Sequence, residues 1–199
     1  MGSAREPSER RRSMSRSGFV AAAALGVPAM TAHAALLTDG PVDGMTILVT
    51  GGAGAVGSLA IQIAKWAGAA RIVTTVSSDA KARVALEDGA AAAVNYRELG
   101  IGDELRDALL DANGGQKFDR MVDVDFGAYV NLSAQVLHHG GVIGTYASMS
   151  EPKPTVDFYP LMMNNITIRM VEVYAQAPAR FADIYNGVNR VLEDGALAP

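Results

Sequence analysis

The stretch Thr46-Ile-Leu-Val-Thr-Gly-Gly-Ala-Gly-Ala-Val-Gly57 joins five apolar or β-branched residues to glycines spaced Gly52-x-Gly54-x-x-Gly57, and the glycines run straight into an apolar segment. The chemistry open to such a stretch is the binding of a diphosphate. Without a Cβ at Gly52 and Gly54 the chain turns tightly and an anion comes close, while Gly57 lets the following helix lie against the strand. The opening N–H groups of that helix point at the anion, helped by the positive end of its dipole. The glycine spacing alone is a weak signal, and a turn using its glycines only for packing is the plain alternative. The context favours the dinucleotide fingerprint: Val56, Leu59, Ala60, Ile63, Ala64 and Ala67 fall on one helical face, and Gly68 stands where a C-terminal cap belongs.

A site that prefers NAD places an Asp or Glu at the end of the second strand, about twenty residues past the glycines. Here that place holds Val76-Ser77-Ser78. No carboxylate repels a 2′-phosphate, and Ser77 and Lys81 can donate to one, so the pocket favours NADP(H). Asp79 is close, but at a helix start it has a capping role. Lys81 alone reads equally well as a solvated helix charge.

Arg71–Val76, β-branched at every residue after Arg71, suits a strand covered on both faces. Shorter strands are expected at Ala93–Asn95, Met121–Val124, Val142–Tyr146 and Thr167–Val173. Helices are expected at Gly18–Leu25, Pro28–Leu37, from Ser78 or Asp79 to Glu87, at Glu104–Ala112, at Tyr129–Leu137 and from about Pro178 to Leu192. The last should bury Phe181, Ile184, Tyr185, Val188 and Leu192, and Gly140-Gly141 reads as a turn. Alternation at this spacing predicts an α/β Rossmann-type fold: a doubly wound parallel sheet of about six strands with helices on both faces. Ligands of such sheets bind beyond the carboxyl ends of the strands, so the loops after Thr50, Val76, Asn95, Val124 and Thr145 are the ones expected to matter.

Composition narrows the field. The chain has 199 residues, 49% hydrophobic and 19% charged, with no cysteine and a formal net charge of -4. That suits one globular core and excludes disulfides and thiolate zinc sites. The basic excess is confined to residues 1–17, read as a tail, and the remainder is acidic, which argues against nucleic acid as a partner. His138-His139 is expected to end a helix, and with His33 completes the histidines. Arg10-Arg-Arg12, the apolar run Gly18–Met30 and Ala32-His-Ala34 imitate a secretory signal with its cleavage site. Pro28 instead suits the first turn of a short helix, and no apolar run is long enough to span a membrane, so a cytoplasmic location is expected.

Ala22-Ala-Ala-Leu-Gly-Val-Pro-Ala-Met-Thr-Ala-His-Ala-Ala-Leu36, Gly44–Gly57, Gln62-Ile-Ala-Lys-Trp-Ala-Gly68, Asn95-Tyr-Arg97, Gly140-Gly-Val-Ile-Gly144 and Leu192-Glu-Asp-Gly-Ala-Leu-Ala-Pro199 together resemble the zinc-free quinone oxidoreductase (zeta-crystallin-like) branch of the medium-chain dehydrogenase/reductase superfamily. The resemblance runs from about residue 18 to the last residue. It implies that residues 18–199 are a dinucleotide-binding Rossmann domain, without the GroES-like catalytic domain of the family. By this resemblance Gly54, Ala55 and Val56 form the diphosphate turn, and Ser77, Lys81 and Tyr96 surround the adenosine 2′-phosphate. Thr31 is the helix threonine beside the nicotinamide, and Asp125, Tyr146, Ala147 and Ser148 line that end. It further implies hydride transfer from NADPH to a quinone or α,β-unsaturated carbonyl without a metal, and a homodimer through strand 167–173. Because the family's substrate cleft lies between two domains, a non-catalytic NADP(H)-binding or dimerising module is the alternative, and no catalytic residue is named.

Overall fold

The structure, a computed structural model, describes residues 16–198. The expected tail, including Arg10–Arg12, lies outside the described residues except for its last two. Strands β1 (Thr46–Val49), β2 (Arg71–Val76), β3 (Ala92–Asn95), β4 (Phe118–Asp123), β5 (Leu137–Thr145) and β6 (Thr167–Met170) form one parallel sheet in the order β3-β2-β1-β4-β5-β6. The chain builds β1, β2 and β3 outward, then returns to lay β4 against the other side of β1. The order reverses there, and a crevice opens above the carboxyl ends of β1 and β4.

Both faces of the sheet are covered, which explains its continuous apolar strands. On one face Ile47, Val49, Ile72, Val76 and Val122 pack under helices α1 (Arg16–Leu37), α2 (Ala55–Trp66), α3 (Asp79–Asp88) and α8 (Pro178–Glu193). On the other, Leu48, Val73, Met121 and Ile143 meet α5 (Asp103–Ala112) and α6 (Phe126–Val136). The remaining helices are short: α4 (Tyr96–Leu99) follows β3, and α7 (Phe158–Met163) precedes β6. Neither was legible in the sequence. Capping explains the sharper boundaries. Ser78 accepts from the Lys81 amide to start α3, and Gly89, at φ 118, ends it.

The structure departs from expectation at four places. First, Gly18–Leu25 and Pro28–Leu37 are one helix with Pro28 inside it. A prolyl residue forfeits one backbone hydrogen bond, and burial of Leu25, Ala29, Ala32, Ala35 and Leu36 on either side of it opposes a break. Ala34, where a signal cleavage would fall, is buried in the last turn of α1 against Val173 and Ile184. Second, α6 ends at Val136, so His138, His139 and Gly140-Gly141 lie inside β5. The register of β5 against β4 slips between Phe118 and Arg120, and Gly140, at φ 79, absorbs the slip while its N–H reaches Asn164 O at 2.8 Å. The two histidines are exposed strand residues and cap no helix. Third, β6 stops at Met170. Val171 still donates to Thr145 O, but Val173 turns inward against Ala34 and Ile184. Fourth, α8 buries Ile184, Gly187, Val188 and Val191, leaving Phe181, Tyr185 and Leu192 exposed.

Helix α1 is held to the sheet in two ways. Arg120, only 3% exposed, reaches out of β4 to the carbonyls at the end of α1. Nη1 donates to Leu36 O and to Gly40 O at 2.9 Å, and Nη2 donates to Asp39 O at 3.1 Å. The arginine thereby serves the C-terminal carbonyls that no helical N–H can reach. Beside it, Gly144 of β5 lies so near the Ala35 carbonyl that an added Cβ would overlap it.

Gly144→Ala is therefore expected to lower the unfolding free energy by about 2–4 kcal/mol, read from urea unfolding. Arg120→Met, which keeps the bulk and strands the carbonyls, is expected to cost about 3 kcal/mol by the same measurement.

Candidate functional site

The turn between β1 and α2 is built by four glycines with different reasons. Gly51, which the spacing argument passed over, takes φ 67 and makes the bend. Gly52 is buried, donates to Thr75 O at 3.0 Å, and has no room for a Cβ because Thr74 Oγ1 and Ile61 Cδ1 occupy it. Gly57 is equally closed, by the Gly51 carbonyl and the Gly52 Cα. Gly54 differs: it is exposed, and the only close neighbour of an added Cβ is Gly51 O at 3.2 Å. Of the two glycines expected to admit an anion, Gly54 is open to solvent and Gly52 is packed against Thr74 and Ile61.

Helix α2 starts from Gly54 with no side-chain cap, and its exposed first residue is Ala55, followed by half-buried Val56 and buried Gly57. A helix start without a capping side chain, facing the sheet's carboxyl edge, is a ready anion site. These four residues present it above the junction of β1 and β4.

The other sequence-selected residues are placed as follows. Ser77 is half-buried just past β2, Lys81 is exposed in the first turn of α3, and half-buried Tyr96 opens α4 past β3. All three follow the carboxyl ends of strands on the β2 side. Asp125 stands at the start of α6, where its Oδ1 accepts from the Ser150 amide at 3.2 Å. Tyr146, Ala147 and Ser148 follow β5. Ala147 O accepts from the Phe126 amide at 2.8 Å and Ser148 Oγ from the Gly127 amide at 3.0 Å, which ties this segment to α6. Tyr146, Ala147 and Ser148 line a largely apolar cavity of about 360 Å³ with Phe126, Pro152, Pro154, Met170 and Val171. Thr31 is buried within α1, 8% exposed. Two larger cavities open elsewhere. One of about 670 Å³, lined by His33, Trp66, Asp183 and Arg190, lies at the end of α2 remote from the glycine turn.

Sequence reasoning missed the acid at the centre of this edge. Asp123, the last residue of β4, is 1% exposed. Its Oδ1 accepts from Thr50 Oγ1 at 2.9 Å and from the Asp125 amide at 3.2 Å, and its Oδ2 accepts from Thr145 Oγ1 at 3.1 Å. Burial raises this carboxyl to about 6, against the pull of those hydrogen bonds. Nearby, Tyr129 meets Thr75 Oγ1 at 3.5 Å, and burial pushes its phenol up to about 12. An acid inside the apolar run Met121-Val-Asp-Val124 was the available signal, since a carboxylate in a covered strand must find donors. Among the described residues, no group of three or more His, Asp or Glu is arranged to hold a metal ion, and no helix is long and apolar enough to cross a membrane.

Comparison with known proteins places this geometry in a family. Residues 55–190, more than half of the chain, match the family described as zinc-binding dehydrogenase. The quinone oxidoreductase of Pongo abelii is 27% identical over 184 residues, covering 91% of this chain and 53% of that protein. A quinone oxidoreductase of Pseudomonas syringae pv. Tomato DC3000 superposes with a TM-score of 0.77 at 26% identity, covering 94% of this chain and 56% of the other. A 2-octenoyl-CoA carboxylase reductase, solved with NADP and 2-octenoyl-CoA, superposes with a TM-score of 0.74 at 28% identity over 90% of this chain and 42% of that one. The chain thus spans about half the length of the curated relatives it matches. With its six-stranded parallel sheet and glycine turn, the chain belongs to the zinc-binding dehydrogenase family of the medium-chain dehydrogenase/reductase superfamily, and within it is similar to the quinone oxidoreductases.

Proposed function

We propose that residues 18–199 are the NADP(H)-binding half of a zinc-independent reductase that delivers hydride to a quinone or to an α,β-unsaturated carbonyl. The observation that carries this reading is the uncapped start of α2 at Gly54, open above β1 and β4 and flanked at the end of β2 by Ser77-Ser78 in place of a carboxylate. The names of the relatives support the same reading: two are quinone oxidoreductases, and a third was solved with NADP and an enoyl thioester.

In this proposal the amides of Ala55, Val56 and Gly57 donate to the diphosphate, and Gly52 and Gly57 keep the turn compact enough to present them. The Ser77 hydroxyl and the Lys81 ammonium receive the 2′-phosphate, and Tyr96 closes the adenosine side. Thr31, Asp125, Tyr146, Ala147 and Ser148 border the nicotinamide end, where the apolar cavity beside Phe126 and Met170 keeps water from the reacting face. The bound cofactor supplies the hydride, and the protein's part is to hold, orient and shield it. The chain itself offers no thiolate for a metal.

We further propose a homodimer through the edge at β6. This strand ends the sheet, and Phe158, Tyr159, Met162, Met163 and Met170 are exposed on it or on the preceding α7. Light scattering is expected to give twice the chain mass for the wild type and a single mass for Met170→Arg.

Calorimetric titration tests the cofactor reading. NADPH is expected to bind about tenfold or more tightly than NADH. Ser77→Asp, which restores an acid at the end of β2, is expected to reverse that order. Equal affinities in the wild type would remove the 2′-phosphate pocket, and oxidation of NADPH on adding quinones and enals would identify the acceptor.

A further inference from the structure

Asp123 joins the ends of three adjacent strands. Thr50 directly follows β1, Asp123 closes β4 and Thr145 closes β5, and the two hydroxyls converge on one carboxylate. The bonds are not equivalent. The Thr50 hydroxyl accepts from the Val124 amide at 2.9 Å, so its own proton is committed to Asp123 Oδ1. The Thr145 hydroxyl has a choice: its proton faces both Asp123 Oδ2 at 3.1 Å and Ala147 O at 3.3 Å. With Asp123 ionised, Oδ2 is the stronger acceptor and draws that proton. With Oδ2 protonated, the acid donates to Thr145 Oγ1, and Thr145 donates wholly to Ala147 O. Each arrangement satisfies every member, and they differ in the direction of one hydroxyl and in how firmly Ala147 O is held.

Building on the cofactor reading above, we propose that Asp123 is a positioning residue whose proton, relayed through Thr145, sets the Tyr146–Ser148 wall of the crevice and thereby the affinity for the dinucleotide. The other titratable groups facing it are Asp125 at the head of α6, Tyr129 from within α6 and Tyr146 past β5. Burial keeps both phenols neutral across the physiological range. Asp125 is the one other charge, and its sign opposes ionisation of Asp123.

The direction follows from charge. Burial raises the Asp123 carboxyl to about 6, so the proton is gained as the medium passes from neutral to mildly acid. An ionised Asp123 repels an anionic cofactor and leaves Ala147 O with half its support, so binding is tighter when the proton is present.

NADP⁺, which is stable in acid, is the probe. Its dissociation constant is expected to weaken about threefold or more between about pH 5 and pH 7.5, with a midpoint near the Asp123 value, beyond the change caused by the cofactor's own phosphate. Asp123→Asn, whose amide can donate to Thr145 as the neutral acid does, is expected to lose that step and to bind at pH 7.5 as the wild type binds at pH 5. Thr145→Val, which cuts the relay and leaves Thr50 in place, is expected to shrink the step to the part that direct charge repulsion supplies. The same pH dependence in wild type and Asp123→Asn, with both binding, would reduce Asp123 to a buried strut and overturn the proposal. The relay is also readable without ligand. The ¹³C shift of the Ala147 carbonyl is expected to titrate near the same midpoint in the wild type and to stay flat in Asp123→Asn. Absence of NADP⁺ binding at every pH, with that titration present, would sink the cofactor reading and leave the relay standing; an Ala147 carbonyl that does not titrate would sink the relay itself.

Discussion

The distance between α2 and the sheet governs the rest of the molecule. Gly52 and Gly57 have no room for a methyl group, because the Thr74 hydroxyl, the Ile61 side chain and the Gly51 carbonyl fill the space. The first turn of α2 is therefore pressed against the end of β1, and its amides face the edge of the sheet instead of a capping side chain. Any larger residue at either position would lift the helix, and the proposed anion site would lose its shape before it lost its charge.

Around that contact the fold is a reciprocal arrangement of covered strands and amphipathic helices. Alternate residues of β1 serve opposite layers: Ile47 and Val49 pack under α1 and α2, and Leu48 meets the α5–α6 layer. Two charged groups admitted into this interior are held by hydrogen bonds. Arg120 is given to the carbonyls ending α1, and Asp123 to two threonine hydroxyls and an amide. Burial acts on both: it lowers the Arg120 guanidinium against the pull of Asp39, and it raises the Asp123 carboxyl to about 6.

Much of this was legible in the residues. Arg71–Val76 reads as a covered strand because every position after Arg71 is β-branched, and Ile72–Val76 are buried. Ser78 and Gly89 announce the ends of α3 by chemistry that acts over three or four residues. What stayed hidden depends on partners distant in the chain. Pro28 looks like a helix start until the burial of Ala32 and Ala35 is known, and Gly140-Gly141 looks like a turn until the slipped pairing of β5 with β4 is seen. In α8, Phe181 and Tyr185 share the apolar periodicity of Ile184 and Val188, yet the neighbouring α1 reaches only part of that face. At the candidate site, local spacing pointed to Gly54 and Ser77, but nothing near Asp123 in sequence shows that Thr50 and Thr145, 73 and 22 residues away, supply its donors.

The meeting of α1 with β5 at Ala35 and Gly144 carries a consequence for how such a chain can change. Main-chain atoms, not side chains, set the separation there, so no rotamer is available to relieve an added methyl group. Substitutions at this seam have to arrive as compensating sets that slide the whole helix. The spacing of the seam is thus set by mechanical necessity.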